Sequence, residues 1–457
     1  MPRQHAPRTA ARRARFREAD HGAITSLGLF LALAVFMLGG LALDVANVYS
    51  QRTQIQAAAD TAAHAALVAR HGVRPGEFSS ESEARNTALE ITASNLPTAR
   101  HGTSLTAEDV EFGRWSPDGS IPWSERFTPE PGARQAVRVH TRRIAQRANS
   151  VPAYLFGLIG LDRWNVNTAS VFEVYQPACL REGFVGESRV DVESNNEYLR
   201  GFCVHSNAYV SINQNNYFED GTIVSMPDLD RLEIPNSGFD KNEGLEAALR
   251  EDTMDIRILR ETGTITEALE AGDADYLPDY IDSRTPVALT LDANNNVLTA
   301  DDLAPGYIYD IACSRSGGRI SVPGGEIVEG VVIVTDCNLD LGSNARFEDV
   351  VFSTRSTDAN SISGASRVTF GRNDACAPGG GAQIITQGGM SFPASLGLFG
   401  AQLIAQGDVS FAARADGIQG ASIVAGGEIN GTSNSTMARC GTGMEGNFTV
   451  PYFRMAM

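Results

Sequence analysis

The sequence predicts a single N-terminal transmembrane helix, a membrane-proximal α+β domain, and a C-terminal parallel β-helix (β-solenoid) with a helical insertion. Three observations predict it. Residues 22–43 carry no charge and no proline. As a helix rising about 1.5 Å per residue they match the roughly 30 Å hydrocarbon core of a bilayer. Beyond that run the apolar period is helical, and from Val110 it shifts towards two. In the C-terminal half, short β-rich runs recur about every twenty residues. The expected boundaries are a basic cytoplasmic arm at 1–21, a signal-anchor at 22–43 and a helical stalk plus small α+β domain at 44–176. First β-solenoid coils follow at 177–228, a helical and hairpin insertion at 229–310, and further coils at 311–450.

The anchor comes first. Arg3, Arg8, Arg12, Arg13, Arg15 and Arg17 precede it, with no acid before Glu18. The positive-inside rule then keeps this arm in the cytoplasm and sends the rest of the chain across. The run from Gly22 to Leu43 is longer than the h-region of a cleaved signal peptide, and Asp44-Val45-Ala46-Asn47-Val48-Tyr49 continues it as helix. A prepilin-like signal usually carries Glu five residues after its Gly; here that place holds Leu27. The anchor is therefore expected to be retained.

Length and charge narrow the partners. At 457 residues the chain exceeds one ordinary domain. Its net charge is −18, and −24 without the six arginines of the arm, which argues against nucleic acid and anionic lipid as partners. Cys179, Cys203, Cys313, Cys337, Cys376 and Cys440 all follow the anchor. An even number in a translocated, oxidising compartment suits disulfides. Cys179–Cys203 and Cys313–Cys337 have equal spacing, which favours those two local pairs and leaves Cys376–Cys440. No CxxC and no Cys/His cluster points to zinc.

From Asp44 to Arg70, Val45, Val48, Tyr49, the Arg52 stem, Ile55, Ala59, Ala62, Ala63 and Ala66 recur at three- and four-residue steps. With so much alanine this reads as helix, stopping near Gly72. The small-residue face formed by Ala57, Ala58, Ala59, Ala62 and Ala63 allows close packing, on its own domain or on another helix.

These residues carry a resemblance. Gly22-Ala23 after a basic arm, then Leu43-Asp44-Val45, Tyr49, Arg52, Gln56 and the run Ala58-Ala59-Asp60-Thr61-Ala62-Ala63, resemble the N-terminal module of TadG-like proteins of the tight-adherence (Flp pilus) assembly system. The match covers about the first seventy residues. It implies a single-pass bacterial inner-membrane protein, N-terminus cytoplasmic and bulk periplasmic. It also implies as partners the inner membrane and other pilus-assembly proteins, pseudopilin-like proteins and the secretion machinery. No catalytic residue comes with it.

In the membrane-proximal part, 82–95 reads as a second helix with Ala84, Ala88, Leu89 and Ile91 on one face. Residues 110–115, 135–140 and 166–175 read as strands. The apolar patch VPAYLFGLI at 151–159 reads as core, or as a segment at the bilayer interface anchored by Tyr154 and Trp164.

The repeat is explicit. AQIITQGGMSF at 382–392, AQLIAQGDVSF at 401–411 and ASIVAGGEING at 421–431 are spaced nineteen and twenty residues apart. A gapless match of 201–225 with 330–354 makes 179–228 and 313–357 equivalent coils. Asn207, Asn213, Asn215, Asn216, Asn338 and Asn344 are expected at corners, because Asn tolerates the left-handed conformation. Gly407, Gly420, Gly426 and Gly427 are expected to supply turns of positive φ. Between the coils, 240–243 reads as a capping box opening a helix over 244–259, and 289–298 as a hairpin.

No site for chemistry stands out, and no cofactor, metal or catalytic residue is expected. Asp292, Asn294 and Asn296 resemble half a calcium loop, but Val297 and Leu303 replace its Gly and Glu. A von Willebrand A metal site, Asp-x-Ser-x-Ser after a hydrophobic strand, is set aside because Asn294 and Asn296 stand in place of both serines. Asp336, Asp340, Glu348 and Asp349 are candidate glycan-cleaving carboxylates, but lie scattered on turns; His205 reads as a packed histidine. The expected function is a non-enzymatic, membrane-anchored component of a tight-adherence pilus system. The rival is an envelope-anchored β-helix that binds or cleaves glycan.

Overall fold

A computed structural model describes residues 21–71, 78–291, 296–313 and 318–457. The arm at 1–20, Gly72 and the Asp292 loop at 292–295 lie outside the described residues. The chain divides into two compact units, Met1–Tyr175 with Phe453–Met457, and Gln176–Tyr452.

The first unit is organised on one 50-residue helix, His21–Arg70. Its second half buries Ile55, Ala58, Ala59, Ala62, Ala63, Ala66 and Leu67. Alanine lets this face lie close to the helix Glu81–Asn95 and the strands Ala136–Arg143 and Val166–Tyr175. The small-residue face thus packs on its own unit. Glu81–Asn95 starts at a reciprocal cap: the Glu83 N–H donates to Ser80 Oγ at 3.2 Å, and the Ser80 N–H to Glu83 Oε2 at 2.8 Å. A five-stranded sheet backs both helices, in the order Phe127–Pro129, Val110–Trp115, Ala136–Arg143, Val166–Tyr175, Tyr452–Met455, the first four antiparallel. The period-two reading holds because alternate residues of Ala136–Arg143 are buried.

The second unit is a 22-stranded sheet in which every described pairing is parallel. Its strands form three ladders. The first links Ile333, Phe352, Ile384, Leu403, Ile423, Phe184, Val204 and Val224 as successive register partners. The second links Leu339, Ile362, Met390, Val409, Ile429, Val190 and Val210. The third links Phe347, Phe370, Leu398, Ile418, Met437, Tyr198 and Phe218. All these residues belong to one buried apolar cluster. Each such side chain contributes about 1.5–3 kcal/mol by leaving water. Stacked neighbours add ring contacts, with Tyr198 and Phe218 parallel at 4.9 Å between centroids.

The twenty-residue spacing is realised as register: Ala382, Ala401 and Ala421 are direct partners. The two matched segments also occupy equivalent places, Val204 and Ile333 on the first ladder and Phe218 and Phe347 on the third. Ladder order departs from chain order. Gly183–Gly186, the first strand of this unit in sequence, lies between Cys203–Ser206 and the late strand Val409–Ala425.

Several local expectations are corrected. Residues 244–259 do not form a long helix. Asn242–Glu243 and Leu249–Glu251 join the ladders as strands, with one turn, Leu245–Ala248, between them. The helix is Arg257–Ala271, which buries Ile258, Leu259, Thr262, Ile265, Thr266 and Leu269. It covers the outward side of the first ladder, where Thr266 and Ser353 hydroxyls meet at 2.8 Å. The 289–298 segment is no hairpin: Val287–Leu289 pairs in parallel with Ile308–Ile311, and Val297 bridges Ser321 in parallel.

Asparagine and glycine also act differently than expected. Asn215 and Asn344 have positive φ, joined by Asn195 and Asn434. Asn207, Asn213, Asn216 and Asn338 do not. Asn216 instead lies buried in a column with Asn196 and Asn242. Each side-chain oxygen accepts the backbone N–H of the residue stacked next to it: Ser435 to Asn196 at 3.1 Å, Asn196 to Asn216 at 2.9 Å, Asn216 to Asn242 at 3.1 Å. Of the four glycines, Gly420 alone has positive φ. At Gly426 the constraint is closeness, since a Cβ would lie 2.4 Å from the Gln406 carbonyl oxygen.

Disulfides join Cys179–Cys203, Cys313–Cys337 and Cys376–Cys440, with Cα separations of 4.9, 5.5 and 5.6 Å.

Candidate functional site

The feature that most needs a partner outside the protein is the first half of the long helix. Ile24, Leu27, Leu29, Phe30, Leu31, Leu33, Val35, Phe36, Met37, Leu38, Leu41 and Leu43 are all exposed, and they cover every side of it. A soluble surface does not sustain an apolar area of this kind. Among the described residues this is the one helix long and apolar enough to cross a membrane.

Protein contacts begin at the end of this run. Leu155 packs on Gly40, with its Cβ 3.0 Å from where a Gly40 Cβ would stand. One turn later Asp44 is fully buried. Its carboxylate accepts the backbone N–H groups of Tyr154, Leu155 and Phe156 at 2.6, 3.0 and 2.8 Å. Asn47 Nδ2 donates to the Pro152 carbonyl at 3.2 Å. The helix therefore holds the loop at 152–156 through three successive turns. A buried carboxylate is tolerated only when hydrogen-bonded or paired, and here backbone amides hold it.

The remaining motif residues divide. Gln56 Nε2 donates to Asp60 Oδ1 at 2.7 Å and to the Ala169 carbonyl at 3.0 Å, tying the helix to the sheet. Ala59 is core, whereas Tyr49 and Arg52 are exposed. The structure thus brings Asp44, Gln56, Ala59 and Asp60 into the packing of the unit and leaves Tyr49 and Arg52 on its surface. The loop at 152–156 was not found as Asp44's partner from sequence. Its apolar patch stood out, but a contact across 110 residues leaves no local signal.

In the second unit each candidate carboxylate meets an arginine. Asp336 lies 3.3 Å from Arg355, Asp340 2.5 Å from Arg319, Glu348 2.8 Å from Arg372, and Asp349 3.6 Å from Arg372. Burial raises the Asp340 pKa, but hydrogen bonds from Arg319 and Ser363 outweigh it and hold the carboxyl below its ordinary range. A glycosidase general acid needs the opposite shift. His205 is fully buried between Ser225 Oγ, 2.7 Å from Nδ1, and Asn207 Oδ1, 3.1 Å from Nε2. Burial depresses its pKa. Among the described residues no group of three or more His, Cys, Asp or Glu side chains could hold a metal ion.

Comparison with known proteins gives two matches. Residues 183–441 match a family model described as a domain of unknown function (DUF7867). Residues 22–71 match a model described as putative Flp pilus-assembly TadE/G-like. No curated protein matches the chain.

Proposed function

The chain belongs to the DUF7867 family, and on that premise we propose that it is a membrane-anchored, non-enzymatic scaffold of a tight-adherence pilus system. The carrying observation is the helix His21–Arg70. Its exposed apolar half leads without a break into an alanine-rich half built into a folded unit, and the TadE/G-like match ends where the helix ends. Residues 22–43 span the inner membrane, the arginine arm stays in the cytoplasm, and both units lie in the periplasm. Three disulfides suit that oxidising compartment.

In this reading the second unit winds as a parallel β-helix, which three parallel ladders with steps near twenty residues support. It serves as a rigid contact surface for pilus or envelope proteins, and its candidate carboxylates, each beside an arginine, are structural. Deleting the gene is expected to abolish surface pili, and the full chain to restore them. Pili that persist at the parental level after deletion would refute the assignment. Restoration of pili by residues 1–176 alone would make the second unit accessory.

A further inference from the structure

We propose that the loop at 152–161 is a second membrane contact, dipping into the boundary between lipid headgroups and acyl chains beside the anchor. This rests on reading residues 22–43 as the bilayer span. Three contacts fix the loop's height along the helix. Pro152 sits at Asn47, the 154–156 amides at Asp44, and Leu155 at Gly40. Asn47 to Gly40 is about 10 Å along the axis at 1.5 Å per residue. The loop therefore runs towards the membrane and passes the end of the apolar run by one turn.

What the loop presents there is apolar and aromatic. Tyr154 is 66% exposed and Leu161 53% exposed. Trp164 and Phe156 rings stand 6.2 Å apart behind them. Residues 40–43 cannot reach the hydrocarbon edge without bringing Leu155 and Tyr154 to the same depth. Tyr and Trp rings favour that depth, where one end is apolar and the other wet. Acyl chains and headgroup carbonyls fit such a surface. The occupant is thus the bilayer that the anchor already enters, and the surface continues that of the helix.

The test uses the full chain in phosphatidylcholine nanodiscs, with p-benzoylphenylalanine placed singly at Phe36, Tyr154, Leu161 or Trp123. Trp123 is 57% exposed and is not part of the loop. All four positions are exposed, so the fold is not at stake. Photolysis should give lipid adducts at Phe36, Tyr154 and Leu161, at least tenfold above position 123. Adducts at Phe36 without any at Tyr154 or Leu161 overturn the loop contact and leave the anchor standing. Equal yields at 123 and 154 also overturn it. Absence of adducts at Phe36 removes the anchor and the loop contact together.

Discussion

Replacing Asn216 by alanine tests the buried asparagine column. Asn216 is 2% exposed. Its Oδ1 accepts the Asn196 N–H at 2.9 Å, and its Nδ2 donates to the Asn213 carbonyl and to Asn242 Oδ1, each at 3.2 Å. Alanine removes all three and supplies nothing in exchange. Asn242 Oδ1 keeps the Asn216 N–H, so two groups lose the partner they had, the Asn196 amide and the Asn213 carbonyl. A buried polar group left unpaired costs about 1–3 kcal/mol; the Asn196 amide is buried and the Asn213 carbonyl lies on an exposed residue, so the loss is roughly 1–3 kcal/mol, a large fraction of an ordinary domain's 5–15 kcal/mol. Asn215→Ala, at a φ of 63°, should cost only about 1–2 kcal/mol through backbone strain. Asn213→Ala, at an exposed side chain, should cost less than about 0.5 kcal/mol. The three tryptophans lie in the first unit, so their fluorescence does not report this site. Amide exchange over Val210–Ile212 and Asn216–Phe218 does. Opening free energies that rank Asn216 with Asn213 would refute the column as a stabilising element.

Further outcomes follow from other contacts. Asp44→Ala should speed amide exchange at Tyr154, Leu155 and Phe156 by at least tenfold, with Asp44→Asn in between, because these amides donate to one carboxylate; unchanged exchange would remove Asp44 as the organiser of the loop. Replacing Cys376 and Cys440 by serine opens a 64-residue loop and should lower the stability of the second unit by about 2–4 kcal/mol, read in its thermal unfolding. Burial holds the His205 pKa below its ordinary value, while the Asn207 hydrogen bond, Asp252 and Glu187 pull it up only partly. Below about pH 6.5 the unfolded chain therefore binds more protons at this residue than the folded one, and stability falls as pH falls. His205→Gln should flatten that acid limb, and a limb identical to the parent's would show that His205 does not set it.

Some of this was legible in the sequence, for identifiable reasons. Parallel register converts directly into spacing, so the Ala382, Ala401 and Ala421 repeats showed which residues would be neighbours. The unbroken run at 22–43 needed only its composition. The Cys179–Cys203 and Cys313–Cys337 pairs followed equal spacing, each joining cysteines 24 residues apart. What stayed hidden was non-local or ambiguous. Asn242 and Glu243 resemble a helix cap because a short polar side chain that bonds backbone serves a cap and a ladder equally well. The helix Arg257–Ala271 is masked in the sequence because Thr262 and Thr266 interrupt its apolar face, where they meet Gln406 Nε2 and Ser353.

The order of the strands along each ladder could not be read from periodicity at all, and it explains how the second unit is connected. Both ends of the first ladder come from mid-chain, Leu249–Glu251 at one and Val287–Leu289 at the other. The segment between them, with the helix Arg257–Ala271, must therefore travel back along the outside of the stack. It covers the outward face of the first ladder on the way. The first strand of the unit consequently sits in the middle of this ladder, where Gly183–Gly186 pairs with 422–425, the last segment of the chain to join it. Glu182, buried beside this junction, accepts the Cys440 and Gly441 amides at 2.5 and 2.6 Å. Chain entry and chain exit are thereby fixed side by side. A stack read in simple chain order would leave entry and exit at opposite ends of the ladders.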